Sequence, residues 1–100
     1  MFGKRLLPRT RAKFIARLAL QHNKCYLCAG PMMKNPGEAE RHITLTRDHV
    51  IPKCLRMNGL NRVGNMLFAC LRCNEKKRDR IPYPCEMFYL DVINEIQGLT

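Results

Sequence analysis

The sequence is short of acidic residues and of long apolar runs. Its 100 residues contain 8 Asp and Glu against 18 Lys and Arg, for a formal net charge of +10, and no acidic residue precedes Glu38. Such a charge attracts polyanions, chiefly nucleic acid and less often an anionic membrane surface. No apolar run approaches the roughly twenty residues that a membrane-spanning helix needs, so we expect no membrane association through a span.

The N-terminal stretch is not expected to be a secretory signal. Arg17 interrupts the first apolar stretch, and no small-residue cleavage site follows it. The six cysteines are therefore not expected to form the disulfide framework of a secreted protein. A reducing, cytoplasmic location is expected, where closely spaced cysteines indicate a metal site.

Four of the six cysteines form two C-x-x-C pairs, Cys25 with Cys28 and Cys70 with Cys73. Each pair puts two thiolates on one tight turn, at about the separation that tetrahedral zinc needs. A thioredoxin-like redox site would need a βαβ context, which the pattern does not show. The spacing predicts one structural zinc with four thiolate ligands and no open position for catalysis. Cys54 and Cys85 have no partner at ligand spacing, and we interpret them as free thiols or packing residues.

The length predicts a single domain spanning residues 1–100. We expect its core at residues 25–80, after a basic lead-in at residues 1–9. A C-terminal helix is predicted over residues 84–97.

Periodicity places further elements along the chain. Thr10 can cap a helix running to His22, with an apolar face formed by Phe14, Ile15, Leu18 and Ala19 and with Arg17 off that face. In the C-terminal helix, which Pro84 opens and Gly98 ends, the residues predicted to share one packed face are Phe88, Val92 and Ile96, with Tyr89 and Ile93. Alternation predicts a strand over residues 42–47 that Pro52 stops, and a second strand over residues 65–69. A short polar helix is predicted over residues 74–80.

The first predicted strand leads into Asp48-His49-x-x-Pro52, and Asn74 directly follows Cys73. Histidine can accept a proton near neutral pH, so His49 is the candidate general base for hydrolysis of a phosphodiester. A hard divalent cation prefers oxygen ligands, which the Asp48 carboxylate and the Asn74 amide carbonyl can supply. Each residue also has a plain structural interpretation: Asp48 as a strand-end cap, His49 as a packed histidine, and Asn74 as the N-cap of the following helix.

In this order and spacing, the motif with its bracketing cysteine pairs resembles the HNH endonuclease family, in the His-Asn-Asn variant. The resemblance implies an α+β fold, the small zinc-stabilised ββα-metal (treble-clef) nuclease fold, here with flanking N- and C-terminal helices. It implies one catalytic cation on Asp48 and Asn74. It also implies that Asn65 holds the hairpin and positions His49 through a backbone hydrogen bond. Because Asn74 stands where many members have a histidine, Mg²⁺ is expected, with Mn²⁺ or Ni²⁺ as alternatives.

The expected substrate is double-stranded DNA, nicked or cut on both strands. Basic residues around the centre are expected to meet phosphates: Lys53, Arg56, Arg62, Arg72, Lys76, Lys77 and Arg78. The alternative is a non-catalytic zinc module that binds nucleic acid through its charge. Small HNH proteins of this type resemble those of phages and mobile elements, which suggests a bacterial or phage-infected cell. The target site, a protein partner and a homodimer stay open.

Overall fold

A computed structural model of the chain describes residues 8–52 and 63–99. Residues 1–7 of the predicted lead-in lie outside the described residues, as do the predicted phosphate contacts Lys53, Arg56 and Arg62 and also Cys54. Residues 8 and 9 of that lead-in are described and belong to the first helix. None of the described helices is long and apolar enough to cross a membrane.

In the described part of the chain, three α-helices surround one hairpin. Helix α1 spans Pro8–Leu20, α2 spans Leu71–Lys77 and α3 spans Pro84–Gln97. Strands β1 (Leu45–His49) and β2 (Met66–Cys70) pair antiparallel. Short 3₁₀ segments precede both strands, at Glu38–Ile43 and Val63–Asn65. The predicted α+β class is confirmed: this is a small two-stranded sheet with flanking helices and a cluster of four cysteines, as a zinc-stabilised ββα fold requires.

The hairpin register sets which side chains share a face. Leu45 lies opposite Cys70, Arg47 opposite Phe68, and His49 opposite Met66. Because side chains alternate along a strand, these residues share one face and the intervening residues share the other. The first face packs on α1 through a cluster formed by Phe14, Leu45, Val63, Met66 and Phe68. The second faces α3 through a cluster formed by Val50, Leu67, Leu90 and Ile93.

The buried face of α1 differs from the predicted face. Phe14 is buried as expected, but Ile15 is 60% exposed and Arg17 is fully buried. The Arg17 guanidinium donates from Nε to the carbonyl of Met66 at 2.9 Å and from Nη1 to Oδ1 of Asn94 at 2.7 Å. Burial lowers the pKa of Arg17 to about 10. These bonds tie α1 to both β2 and α3, so a charged residue occupies a position that hydropathy assigns to the surface.

The predicted packed face of α3 is confirmed at Ile93 but wrong at Phe88, Val92 and Ile96. Phe88 is 70% exposed and Ile96 is 61% exposed, whereas Leu90 and Ile93 are buried. Glu86 caps the first turn of α3 by accepting the backbone N–H of Tyr83 at 2.8 Å. It also pairs with Arg80 through two hydrogen bonds of 3.0 Å. These contacts at the first turn place the Leu90 and Ile93 side of the helix against the hairpin.

The remaining element boundaries shift by a few residues. The first strand begins at Leu45, because residues 38–43 form the 3₁₀ segment, and it contains Asp48 and His49 instead of ending before them. Helix α2 begins at Leu71, three residues before the predicted start, and therefore includes Cys73. It ends where Arg78 takes a positive φ of 48°.

Candidate functional site

The four paired cysteines converge as a metal site. The sulfur atoms of Cys25, Cys28, Cys70 and Cys73 all lie within 4.8 Å of one another. The Cys28 and Cys70 sulfurs are 3.9 Å apart. Tetrahedral zinc with Zn–S bonds of about 2.3 Å separates its sulfur ligands by about 3.8 Å. The donor set and its spacing therefore fit a structural zinc, which would fasten the first cysteine turn to the end of β2 and the start of α2.

The first cysteine turn is shaped by its backbone. Cys25 N–H donates to the carbonyl of Gly30 at 2.9 Å, and Ala29 N–H donates to the carbonyl of Cys25 at 2.8 Å. A Cβ at Gly30 would lie 3.2 Å from the Cys28 sulfur, so glycine gives the sulfur its room. Gly30 N–H donates to that sulfur at 3.4 Å. Burial acts to raise the pKa of Cys28, but this N–H and the neighbouring thiols outweigh it and lower the pKa. Burial raises the pKa of Cys25 and of Cys73.

Asp48 lies buried on the face of the hairpin that meets α2. Its Oδ2 accepts the hydroxyl of Tyr26 and lies 3.3 Å from Nζ of Lys77. Burial raises the pKa of Asp48, against the opposing effects of Tyr26, Lys77 and His49. Sequence reasoning did not identify Tyr26 as part of the site. The only signal available was its position inside the first C-x-x-C turn, which a zinc ion on the four cysteines would hold against the hairpin.

Asn74 projects from α2 onto the same strand. Its Nδ2 donates to Oγ1 of Thr46 at 3.0 Å and to the carbonyl of Arg47 at 3.2 Å. The interpretation of Asn74 as an N-cap is wrong, because the N-cap of α2 is Cys70 and Asn74 lies inside the helix. The two bonds use the amide nitrogen and leave Oδ1, the atom suited to a hard cation, outside them.

Asn65 is fully buried and holds the segment that follows β1. Its Oδ1 accepts the N–H of Ile51 at 2.9 Å, and its Nδ2 donates to the carbonyl of Ile51 at 2.9 Å. The Asn65 carbonyl accepts the N–H of Val50 at 2.9 Å. These contacts fix the two residues after His49, so any positioning of His49 by Asn65 acts through the backbone of residues 50 and 51.

His49 is half-buried at the end of β1, opposite Met66. Its charge acts to lower the pKa of the Asp48 carboxyl, although burial raises that pKa overall. Consecutive residues of a strand point to opposite faces, so His49 extends from the hairpin beside Asp48 but from the other face. The Arg17 bond to the Met66 carbonyl fixes the strand directly across from His49.

The oxygen donors fit a divalent cation in type, with one opposing feature. Asp48 and Asn74 offer a carboxylate and an amide oxygen along the same stretch of β1, which suits Mg²⁺. Lys77, however, is 3% exposed and places a positive charge against Asp48. Its Nζ also donates to the carbonyl of His49 at 3.0 Å.

The predicted phosphate contacts divide into exposed and buried residues. Arg72, Lys76 and Arg78 are exposed and line an open groove of about 460 Å³, together with His42 and Glu75. Lys77 does not fit its predicted role, because its ammonium is buried against Asp48. The sequence carried one signal that Lys77 faces β1. Lys77 lies three residues after Asn74, and residues three apart lie on one side of a helix.

These positions can be compared with known proteins. Residues 34–80 match the HNH endonuclease family. The HNH match covers just under half of the chain and confirms the predicted resemblance. It includes Asp48, His49, Asn65, Asn74 and the second cysteine pair, whereas the first cysteine pair lies before it. Among curated proteins, none matches the sequence significantly.

Proposed function

We propose that the chain is a metal-dependent endonuclease that hydrolyses phosphodiester bonds of DNA. The observation that carries this proposal is the convergence of Asp48 and Asn74 on one stretch of β1 next to His49, within the HNH match. A zinc module that only binds nucleic acid has no need for this grouping. The cysteine cluster would also hold β2 and α2 in place relative to each other, because Cys70 ends β2 and directly precedes α2.

In this proposal His49 is the general base. Its imidazole accepts a proton from a water molecule, whose oxygen attacks phosphorus while the bond to the leaving oxygen breaks. A divalent cation bound by Asp48 and Asn74 would polarise the phosphate and offset the charge on the leaving oxygen. Asn65 is a positioning residue that keeps the backbone after His49 in place through Ile51.

Charge supports DNA as the substrate. The net charge is +10, and the exposed residues Arg72, Lys76 and Arg78 lie on α2 and just beyond it, next to the centre. Phosphate neutralisation by such residues supplies most of non-specific DNA affinity. With few further elements for reading bases, low intrinsic sequence specificity is expected.

Incubation of the protein with supercoiled plasmid, with and without Mg²⁺, tests the proposal. Zinc content is measured in both samples, so that a loss of fold is not mistaken for a loss of cleavage. We expect nicked or linear product only with the added cation. DNA binding without cleavage in Mg²⁺, Mn²⁺ or Ni²⁺ would favour the alternative, a zinc module that binds nucleic acid through its charge.

A further inference from the structure

The strongest unexplained contact in the site is the burial of Lys77 against Asp48. The side chains of the two residues are 1% and 6% exposed, and their charged atoms lie 3.3 Å apart. Lys77 Nζ also donates to the carbonyl of His49. The ammonium therefore lies against the carboxylate oxygen and backbone that face the proposed cation site.

Two positive charges cannot share this position at low cost. A nearby opposite charge commonly changes the proton affinity of a carboxyl by 10- to 1,000-fold. By the same electrostatics, the Lys77 ammonium lowers the affinity of Asp48 for any other cation. A divalent ion therefore binds the Asp48 carboxylate most tightly when the Lys77 ammonium has moved away from it.

The structure offers Lys77 a place to go. Lys77 is the last residue of α2, and its four-carbon stem can turn without moving the helix. It lines an open cavity of about 240 Å³ that Glu86, Arg80, Tyr83 and Lys76 also line. Lys77 is among the groups that lower the pKa of Glu86, so its charge already acts on that carboxylate.

We propose that Lys77 is a tethered cation that occupies Asp48 in the metal-free protein and withdraws into the Glu86 cavity when a divalent cation binds. This inference rests on the proposed function, since it assigns Asp48 to the cation. Lys77 thereby neutralises the negative charge of the buried Asp48 carboxylate in the metal-free protein. It also sets the cation concentration at which the site fills.

Mn²⁺ binding to the zinc-loaded protein without DNA, followed by electron paramagnetic resonance, tests this. Lys77→Gln keeps a hydrogen-bond donor but removes the charge, and should bind Mn²⁺ at least tenfold more tightly than the parent. Lys34→Gln removes the same charge from an exposed loop position, where water and salt screen it, and should change affinity less than twofold. Equal or weaker binding by a folded Lys77→Gln protein, or no Mn²⁺ binding by either protein, overturns the inference.

A second measurement needs only the parent chain, in case Lys77→Gln does not fold. Acetylation by acetic anhydride is followed residue by residue by mass spectrometry, with and without saturating Mg²⁺. Lys77 should change from protected to reactive when Mg²⁺ is added, while the exposed Lys34 reacts equally in both samples. Continued protection of Lys77 contradicts the inference. If the parent still cleaves plasmid with Mg²⁺ in that case, only the role of Lys77 fails; if it neither binds the cation nor cleaves, the proposed function fails as well.

Discussion

Replacement of Asn65 by alanine should loosen the segment that follows β1. The side chain is fully buried and satisfies both the N–H and the carbonyl of Ile51, each at 2.9 Å. Each buried backbone group left without a partner costs about 1–3 kcal/mol. Because Ile51 is half-buried, water can reach part of this backbone, and we expect a total loss of about 2–3 kcal/mol.

Urea unfolding of the zinc-saturated protein measures this loss. With a slope of about 1–3 kcal/mol per molar urea, the midpoint of Asn65→Ala should fall by about 0.7–3 M. Asn35→Ala is the matched control: Asn35 is exposed, and such a substitution usually changes stability by less than about 0.5 kcal/mol. Hydrogen exchange of the Ile51 amide should accelerate in Asn65→Ala alone. Midpoints that agree between the two variants, with Ile51 still protected, would refute the reasoning.

Three further predictions concern the scaffold and the surface. Glu86→Gln should destabilise the chain by about 1.5–3 kcal/mol in urea unfolding at neutral pH, because the carboxylate bonds to Arg80 are charge-assisted. Those bonds lower the pKa of Glu86 below its usual value of 4.5 despite the burial of the carboxyl. The stabilisation is therefore fully present above about pH 4.5. It should be lost as the pH falls through the lower folded value, and equal acid sensitivity of parent and variant would contradict this. Cys73→Ser should abolish stoichiometric zinc in metal analysis, whereas Cys85→Ser, at an exposed position outside the cluster, should retain it; the reverse result would exclude the proposed ligand set. Arg72→Gln should weaken duplex binding and reduce its salt dependence by roughly one counterion, and an unchanged slope would place Arg72 away from phosphate.

The hairpin, the second helix and the zinc cluster follow from short-range signals. Two C-x-x-C turns and two short strands, with Asn74 placed directly after Cys73, restrict the chain to few arrangements, and the sulfur geometry agrees with them. Helix boundaries were less accurate, because α2 begins inside the second cysteine turn, where the metal-binding pattern conceals the start of the helix.

Hydropathy alone could not predict which faces of the flanking helices α1 and α3 are buried. Arg17 is buried because the Met66 carbonyl and the side chains of Asn94 and Gln97 accept its hydrogen bonds, and those acceptors come from distant parts of the chain. The apolar stripe of α3 that contains Phe88 and Ile96 fits helical periodicity but lies on the exposed side.

At the candidate site, too, the sequence predicted residue types better than their contacts. Asp48, His49 and Asn74 could be selected because their chemistry and spacing suit hydrolysis. The ion pair between Asp48 and Lys77 could not be predicted in this way, because in the sequence a lysine among several basic residues looks like an exposed surface charge. The helical spacing from Asn74 is the one sequence signal that separates Lys77 from its exposed neighbour Lys76, and the orientation of α2 against β1 shows the result.

Plasmid cleavage by His49→Ala tests the central claim most directly. His22→Asn is the matched control: His22 is exposed and has a positive φ of 55°, which asparagine tolerates. Zinc content and DNA affinity should match the parent in both variants. Cleavage with Mg²⁺ should fall by roughly 10²–10⁴-fold in His49→Ala, as expected for loss of a general base, and stay unchanged in His22→Asn. Cleavage by His49→Ala at the parental rate would contradict the assignment of His49 as the base.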